Sequence, residues 1–188
     1  MSKTSNDKII FLDRDGVINE FPGVGNYVTS WEQFRFIPRS REALVSLTQA
    51  GYEINIVSNQ GCVSRGLISR QGLDEITRRM SEEVRAVDGR IGGVFYCVHQ
   101  TNDDCECRKP KIALFQKALK GRGVDLKGVY FVGDSQEDIQ ASRNLGCRSV
   151  LVLSGRLGET EAPSLNPPPD AIKKDLWDAA HWIIAQKS

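Results

Sequence analysis

Short apolar runs alternate with amphipathic stretches along the chain. Ile9-Ile-Phe-Leu12 is four apolar residues closed by polar ones, the pattern of a buried strand. Tyr52 to Val57, Gly93-Val-Phe-Tyr96, Val129-Tyr-Phe-Val132 and Ser149-Val-Leu-Val-Leu153 repeat it, giving five expected strands. Between them the apolar spacing turns helical. Ser40 is expected to cap a helix with Ala43, Leu44, Leu47 and Ala50 on one face, closed by Gly51. Ser69 caps a second helix to about Val87, with Ile76, Met80, Val84 and Val87 at helical spacing. Ile112 to Lys120, Glu137 to Leu145 (ended by Gly146) and Leu176 to Ala185 complete the set. Residues 16–38 read mostly as loop. Residues 154–170, with Pro163 and Pro167-Pro-Pro169, read as a loop or lid. Strands alternating with helices predict an α/β fold, a doubly wound Rossmann-like parallel sheet in one domain spanning 1–188. Ligands in such sheets gather outside the carboxyl ends of the strands.

Composition narrows the class. The 188 residues are 40% hydrophobic, enough for a core without covalent staples. Lys+Arg total 25 against Asp+Glu 24, a net charge of +1, which leaves no electrostatic footprint for nucleic acid or an anionic membrane. No stretch approaches a membrane span, and the polar start Met1 to Lys8 runs into too short an apolar stretch for a signal peptide. A cytoplasmic protein is expected, with a monomer as the default. Of five cysteines, three fall within eleven residues beside a histidine. Without an export signal, that favours a metal site over a disulfide framework.

Candidate chemistry sits where strands end. Asp13-Arg-Asp15-Gly16 follows the first strand: two carboxylates, one able to attack as a nucleophile and one to move protons, or else a solvated turn. Ser58-Asn59-Gln60-Gly61 follows the second and offers a hydroxyl and amides to a phosphate oxygen, although it is also a plain turn signal. Gly133-Asp134-Ser135-Gln136-Glu137-Asp138 follows the fourth, where Asp134 or Ser135 could equally serve as a helix cap. Arg108-Lys109 precedes a helix with two cations for an anionic substrate, or a solvated basic pair. Cys97, His99, Cys105 and Cys107 supply three thiolates and an imidazole, a closed tetrahedral set for a structural Zn²⁺. The competing arrangement is a disulfide such as Cys97 to Cys105 with His99 exposed. Cys147 reads as core, and Cys62, in the turn after Ser58, could be exposed.

Taken in order, D-x-D-G at strand one, S-N at strand two, a lysine before a helix and G-D-x-x-x-D resemble the haloacid dehalogenase (HAD) superfamily over residues 8–153. The second aspartate, Asp15, resembles the residue that separates phosphotransferases from dehalogenases. The resemblance implies a Mg²⁺-dependent phosphomonoesterase. Asp13 would form a phosphoaspartyl intermediate and Asp15 would serve as acid and base. Ser58, the Asn59 amide and Lys109 would cradle the phosphoryl oxygens. Mg²⁺ would be held by Asp13, Asp134 and the main-chain carbonyl of Asp15, with Asp138 supporting that shell.

The 42 residues between Asp15 and Ser58, and the 49 between Asn59 and Lys109, leave no room for a separate cap domain. That spacing, the C-x-H…C-x-C loop fused to R-K-P, and S-N-Q-G-x-x-x-R-G resemble the capless, zinc-containing branch of heptose-bisphosphate and histidinol-phosphate phosphatases. The resemblance implies a phosphorylated sugar substrate, with histidinol phosphate as the alternative. Arg108, Arg65, Asn59, Gln60, Gly61 and loop residues near Phe21 to Val24 would line its site. The cysteine loop would orient Arg108 and Lys109. A polynucleotide phosphatase would need a basic, aromatic-laced strip, which is absent. From a different class, a zinc-stabilised binding protein with a decayed active site would tolerate loss of Asp13, Asp15, Lys109 and Asp134, all of which are present.

Overall fold

The structure, a computed structural model, describes residues 8–186 except Glu159. The polar tract read as unlike a signal peptide lies, up to Asp7, outside the described residues. Six parallel strands form one sheet in the order β3-β2-β1-β4-β5-β6. These are β1 (Ile9–Leu12), β2 (Glu53–Asn59), β3 (Ile91–Cys97), β4 (Tyr130–Gly133), β5 (Arg148–Val152) and β6 (Ala171–Lys173). The helices are α1 (Ser40–Gln49), α2 (Arg70–Arg85), α3 (Ala113–Leu119) and α4 (Gln136–Leu145) between strands, and α5 (Leu176–Ala185) after β6. β1 lies between β2 and β4, and the direction of chain travel across the sheet reverses there. In an open α/β sheet this is where a ligand crevice forms.

Both faces of the sheet are covered, which is why its strands read as unbroken apolar runs. Successive residues of β1 point to opposite faces. Ile10 and Leu12 join a core built with Leu44 and Leu47 of α1, Ile76, Met80 and Val84 of α2, and Ile183 of α5. Ile9 and Phe11 join a second core with Leu114 and Phe115 of α3 and Leu145 of α4. Phe115 meets Phe11 and Phe131 edge-on, each pair with ring centroids 5.0 Å apart.

Three local expectations are corrected. The expected five strands are six, because the three-residue β6 pairs with β5 at the sheet edge. Ser40 is the first residue of α1, and the position before it is Arg39, at φ 65°. Cys62 is wholly buried. Ser69 does cap α2, accepting from the Gly72 amide at 3.0 Å, while Val87 lies beyond that helix and is exposed. Among the described residues no domain is inserted between β1 and β2, where only a 3-10 turn at Trp31–Gln33 and α1 intervene. The proline-bearing stretch is tied down at several points. Gln136 Nε2 and Arg143 Nη2 on α4 donate to the carbonyls of Asn166 and Pro168 at 3.0 and 2.8 Å.

Leu47 is fully buried where α1 packs on the sheet and α5. Replacing it with alanine is expected to cost about 2–5 kcal/mol and to lower Tm by roughly 4–20 °C. Thermal unfolding checks this. A loss under about 1 kcal/mol would mean that this face is not close-packed.

Candidate active site

The carboxyl ends of β1, β2 and β4 converge on one cavity of about 100 Å³. Its wall includes Asp13 and Asp15 beyond β1, Ser58 and Asn59 on β2, Arg108 and Lys109 before α3, and Asp134 beyond β4. Seven of the residues singled out from the sequence therefore meet at one place, although 121 positions separate the first from the last.

Lys109 is the cation at the centre. Its Nζ lies 3.1 Å from Asp13 Oδ2 and 2.7 Å from Asp138 Oδ1, and donates to the Val57 carbonyl at 3.0 Å. Asn59 fixes its backbone from both sides. Asn59 Oδ1 accepts from the Lys109 amide at 3.0 Å, and Asn59 Nδ2 donates to the Lys109 carbonyl at 3.3 Å. Asp138 Oδ2 accepts from the amides of Asp134 and Ser135, both at 3.2 Å, and from the Ser135 hydroxyl at 2.6 Å. Ser135, rather than Asp134, stands at the N-cap of α4. Asp138 thus spends one oxygen on the start of α4 and the other on Lys109.

Asp134 is held at the opening of the loop after β5, where the Arg156 amide donates to its Oδ2 at 2.7 Å. Gly16, at φ +81°, and Gly155 pass so close to this carboxylate that a Cβ on either would collide with it. Oxygens of Asp13, Asp134 and Asp138 lie within 4.8 Å of one another. Burial and then the charges of Asp138 and Asp13 push Asp134 up to about 8. Burial likewise pushes Asp13 up to about 6, against the opposing pull of Lys109. Three acids facing one ammonium leave two negative charges in excess. A divalent cation on hard oxygen ligands fits that donor set.

Asp15 has a separate partner. Arg14, wholly buried, gives its fork to Asp15 Oδ1, with Nε at 3.1 Å and Nη2 at 2.9 Å. Asn19 Nδ2 reaches the same oxygen at 2.8 Å, and Gln60 Nε2 reaches Oδ2 at 2.8 Å. Burial alone would raise the Asp15 carboxyl, but the Arg14 charge and these bonds outweigh it and hold it below its ordinary value.

Cys97, His99, Cys105 and Cys107 also gather. Their sulfurs lie 3.1–3.5 Å apart, and His99 Nδ1 lies 3.2 Å from Cys107 Sγ. All three thiols are free. These separations far exceed a disulfide bond of about 2.05 Å. They approach the roughly 3.8 Å edge of a tetrahedron with metal–sulfur bonds of about 2.3 Å. The four side chains can hold a zinc ion. Burial raises the Cys97 thiol to about 12, so filling the site at neutral pH displaces protons. The cluster is joined to the cavity, since Arg108 follows Cys107 and its Nη1 donates to the His99 carbonyl at 3.1 Å.

Three residues chosen from the sequence stand off the cavity wall. Gln60 is fully buried and bonds Asp15 and Ser58. Gly61 is buried, where a Cβ would approach the His99 carbonyl at 3.1 Å and Arg108 Nη1 at 3.6 Å. Arg65 is exposed, 5.7 Å from the Tyr27 ring. Of the sugar-loop residues, Phe21 and Pro22 line the cavity with Asn26 and Tyr27, while Val24 points to solvent at 82% exposure. Sequence reading missed Arg14, Asn19 and Arg156. Arg156 sits in a stretch with no period and no motif, and its guanidinium flanks the cavity 5.6 Å from the Phe21 ring. Arg14 carried a signal, because an arginine between two candidate acids needs a partner.

A family model described as HAD-hydrolase-like matches residues 106–179. A D-glycero-β-D-manno-heptose-1,7-bisphosphate 7-phosphatase from Pseudomonas aeruginosa is 38% identical over 148 residues, covering 79% of this chain and 82% of that one. The enzyme of the same name from Neisseria meningitidis is 36% identical over 183 residues, covering 96% and 97%. The crystal structure of D,D-heptose 1,7-bisphosphate phosphatase from B. bronchiseptica, complexed with magnesium and phosphate, matches with a TM-score of 0.87 at 32% identity. It covers 96% of this chain and 99% of that one. Identity and coverage of this extent, on one HAD-like fold, make the chain a member of the D-glycero-β-D-manno-heptose-1,7-bisphosphate 7-phosphatase family.

Proposed function

We propose that the chain removes the 7-phosphate of D-glycero-β-D-manno-heptose 1,7-bisphosphate by way of a phosphoaspartyl intermediate. The observation that carries this reading is the meeting of Asp13, Asp15, Ser58, Lys109 and Asp134 around one cavity at the strand ends. An Asp13 carboxylate oxygen attacks phosphorus in line, and the bond from phosphorus to the sugar oxygen breaks. Asp15 gives its proton to the departing alkoxide. Asp15 is ionised in the resting site, and an arriving phosphate dianion favours its protonated form. Water then attacks the phosphoaspartyl group, Asp15 takes a proton from it, and phosphate leaves with Asp13 restored. Ser58, the Asn59 amide and Lys109 hold the phosphoryl oxygens, stabilising charge by position.

Asp13, Asp134 and the Asp15 carbonyl would hold Mg²⁺, which neutralises charge on the transferring group. Asp138, which is not on the cavity wall, would support that shell through Lys109 and the start of α4. Cys97, His99, Cys105 and Cys107 would hold Zn²⁺, which fixes the loop carrying Arg108. Arg108 and Arg156 flank the cavity and would receive the phosphate that is kept, whereas histidinol phosphate has no second phosphate to occupy them. Gln60 supports Asp15, while Gly61 and Arg65 shape the approach. The enzyme would work as one domain and as a cytoplasmic monomer, apart from nucleic acid and membranes. Near-neutral charge supports this, and among the described residues no helix is long and apolar enough to cross a membrane.

Phosphate release from the heptose bisphosphate and from histidinol phosphate, with and without Mg²⁺, tests the reading directly. Release should require Mg²⁺, favour the bisphosphate, and fall at least about 10³-fold in Asp13→Asn. Equal rates for that variant and the parent would end the nucleophile assignment, and preference for histidinol phosphate would end the substrate assignment.

The charge imbalance predicts a pH effect. Asp13 and Asp134 have folded pKa values of about 6 and about 8, above the ordinary 3.8. Their contribution to stability is therefore complete below about pH 4 and is lost as pH rises through those values. Protein dialysed free of Mg²⁺ should lose Tm from this source between pH 4 and 8. Added Mg²⁺, which favours the ionised acids, should raise Tm more at pH 8 than at pH 5. A Mg²⁺ shift independent of pH would refute this account.

Cys107→Ser removes one of four ligands and loosens the residue before Arg108. Zinc content by elemental analysis is expected to fall, and KM to rise more than kcat falls. Full zinc content with unchanged KM would sink the proposed link between loop and substrate.

A further inference from the structure

Arg14 lies between the two reacting acids and is fully buried, yet the reaction above gives it no part. Burying a guanidinium costs several kcal/mol of lost hydration unless it is paired. Among the described residues, the one carboxylate bridged to Arg14 is Asp15. Resting on the phosphatase reading, we propose that Arg14 is a positioning residue: its fork fixes the Asp15 carboxyl group at the cavity wall, where in its protonated form it gives its proton to the departing alkoxide.

The geometry limits Asp15 to one placement. Arg14 Nε and Nη2 both meet Oδ1, and Nη2 also lies 3.1 Å from Oδ2. Asn19 and Gln60 add one donor to each oxygen. A carboxylate offers about four lone-pair positions, so these donors leave it little freedom to rotate. Arg14 is itself held from behind. Its guanidinium lies 5.7 Å from the centre of the Tyr96 ring, and the Tyr96 hydroxyl is bonded to Thr77 Oγ1 at 3.1 Å. The turn is closed by the Arg14 carbonyl, which accepts from the amides of Ile18 and Asn19 at 2.8 and 3.1 Å. That turn brings the Asn19 side chain to Asp15. A lysine at position 14 would keep the charge but lose the planar fork.

The chemistry of the leaving group separates positioning from simple structural support. When a sugar phosphate reacts, the bond from phosphorus to the sugar oxygen breaks and the alkoxide takes the Asp15 proton. When 4-nitrophenyl phosphate reacts, the equivalent bond breaks but the phenolate departs as a stable anion without that proton. kcat/KM includes only the steps through this first departure. Hydrolysis of the phosphoaspartyl group, which both substrates share, does not enter it. The ratio of the two kcat/KM values is also independent of how much enzyme in a preparation is folded.

The experiment measures that ratio, for an alkyl phosphate the parent hydrolyses against 4-nitrophenyl phosphate, in the parent, Arg14→Lys, Arg14→Gln and Asp15→Asn. General acid–base catalysis contributes about 10²–10⁴-fold, and a misplaced acid is expected to forfeit roughly 10–100-fold of it in the ratio for both Arg14 variants. A ratio within about 2-fold of the parent would overturn the proposal, as would failure of both Arg14 variants to fold. The phosphatase reading fails by a different signature, namely a parent that releases phosphate from neither substrate. An Asp15→Asn variant with an unchanged ratio would remove the acid role itself.

Discussion

Three carboxylates brought together out of water set the terms for the rest of the site. Asp13, Asp134 and Asp138 lie within 4.8 Å of one another, and each is under one-tenth exposed. Like charges that close and that dry cannot all stay ionised without cations nearby. Lys109 is the protein's own answer, an ammonium almost fully enclosed and held by two acids and a carbonyl. One positive charge does not balance three negative ones, and burial, together with the neighbouring acids, raises Asp13 and Asp134. The cavity is therefore built to attract a divalent cation before any substrate arrives. Arg14 and Asp15 form a second, self-neutralised pair beside it. Asp15 is thus kept electrostatically apart from the acids that favour a cation.

The sheet makes this concentration of charge affordable. β1 is central, and its neighbours β2 and β4 deliver Ser58 and Asp134 to the same edge as Asp13. Strands buried on both faces hold these positions rigidly, so the polar cluster rests on two hydrophobic cores rather than on flexible loops. Close approach matters as well. Gly16 and Gly155 bring two backbones against the Asp134 carboxylate, which no side chain at either place would permit.

Most of the fold was legible because its signals are local and repeated. Among the described residues, apolar runs found five of six strands, and helical spacing found the five α-helices to within a few residues. β6 was missed because Ala171-Ile-Lys173 is too short to show a period. Ser40 misled because a capping residue type does not reveal the backbone, and the chain turns at Arg39 instead. In the site, residues with motif chemistry such as Asp13, Asp15, Lys109 and Asp134 were named in advance and lie together. Gln60 and Gly61 sit in a motif yet face inward, because both lie past the end of β2, where no strand period tells which side chains meet the cavity. Arg156 could not have been found from sequence. Its place depends on the loop after β5 folding back over Asp134, a contact between residues 22 positions apart with no periodic signature.

The two ligand clusters differ in a way that assigns them different work. The sulfur and imidazole atoms of Cys97, His99, Cys105 and Cys107 face one another, so an ion there would have four protein ligands and no open position for a reactant. That arrangement can stiffen a loop but cannot polarise a phosphate. Asp13 and Asp134 instead border the cavity, where an incoming oxygen can join them. The two clusters are linked through a few atoms. Cys97 ends β3, Cys107 precedes Arg108, Arg108 bonds the His99 carbonyl, and Asn59 grips the backbone of Lys109 from β2. With no inserted domain among the described residues to close over a substrate, this chain of contacts sets the cations at fixed positions on the cavity wall. Selectivity would then come from where they stand before binding rather than from closure after it, which favours a substrate with a second anionic group at a matching distance.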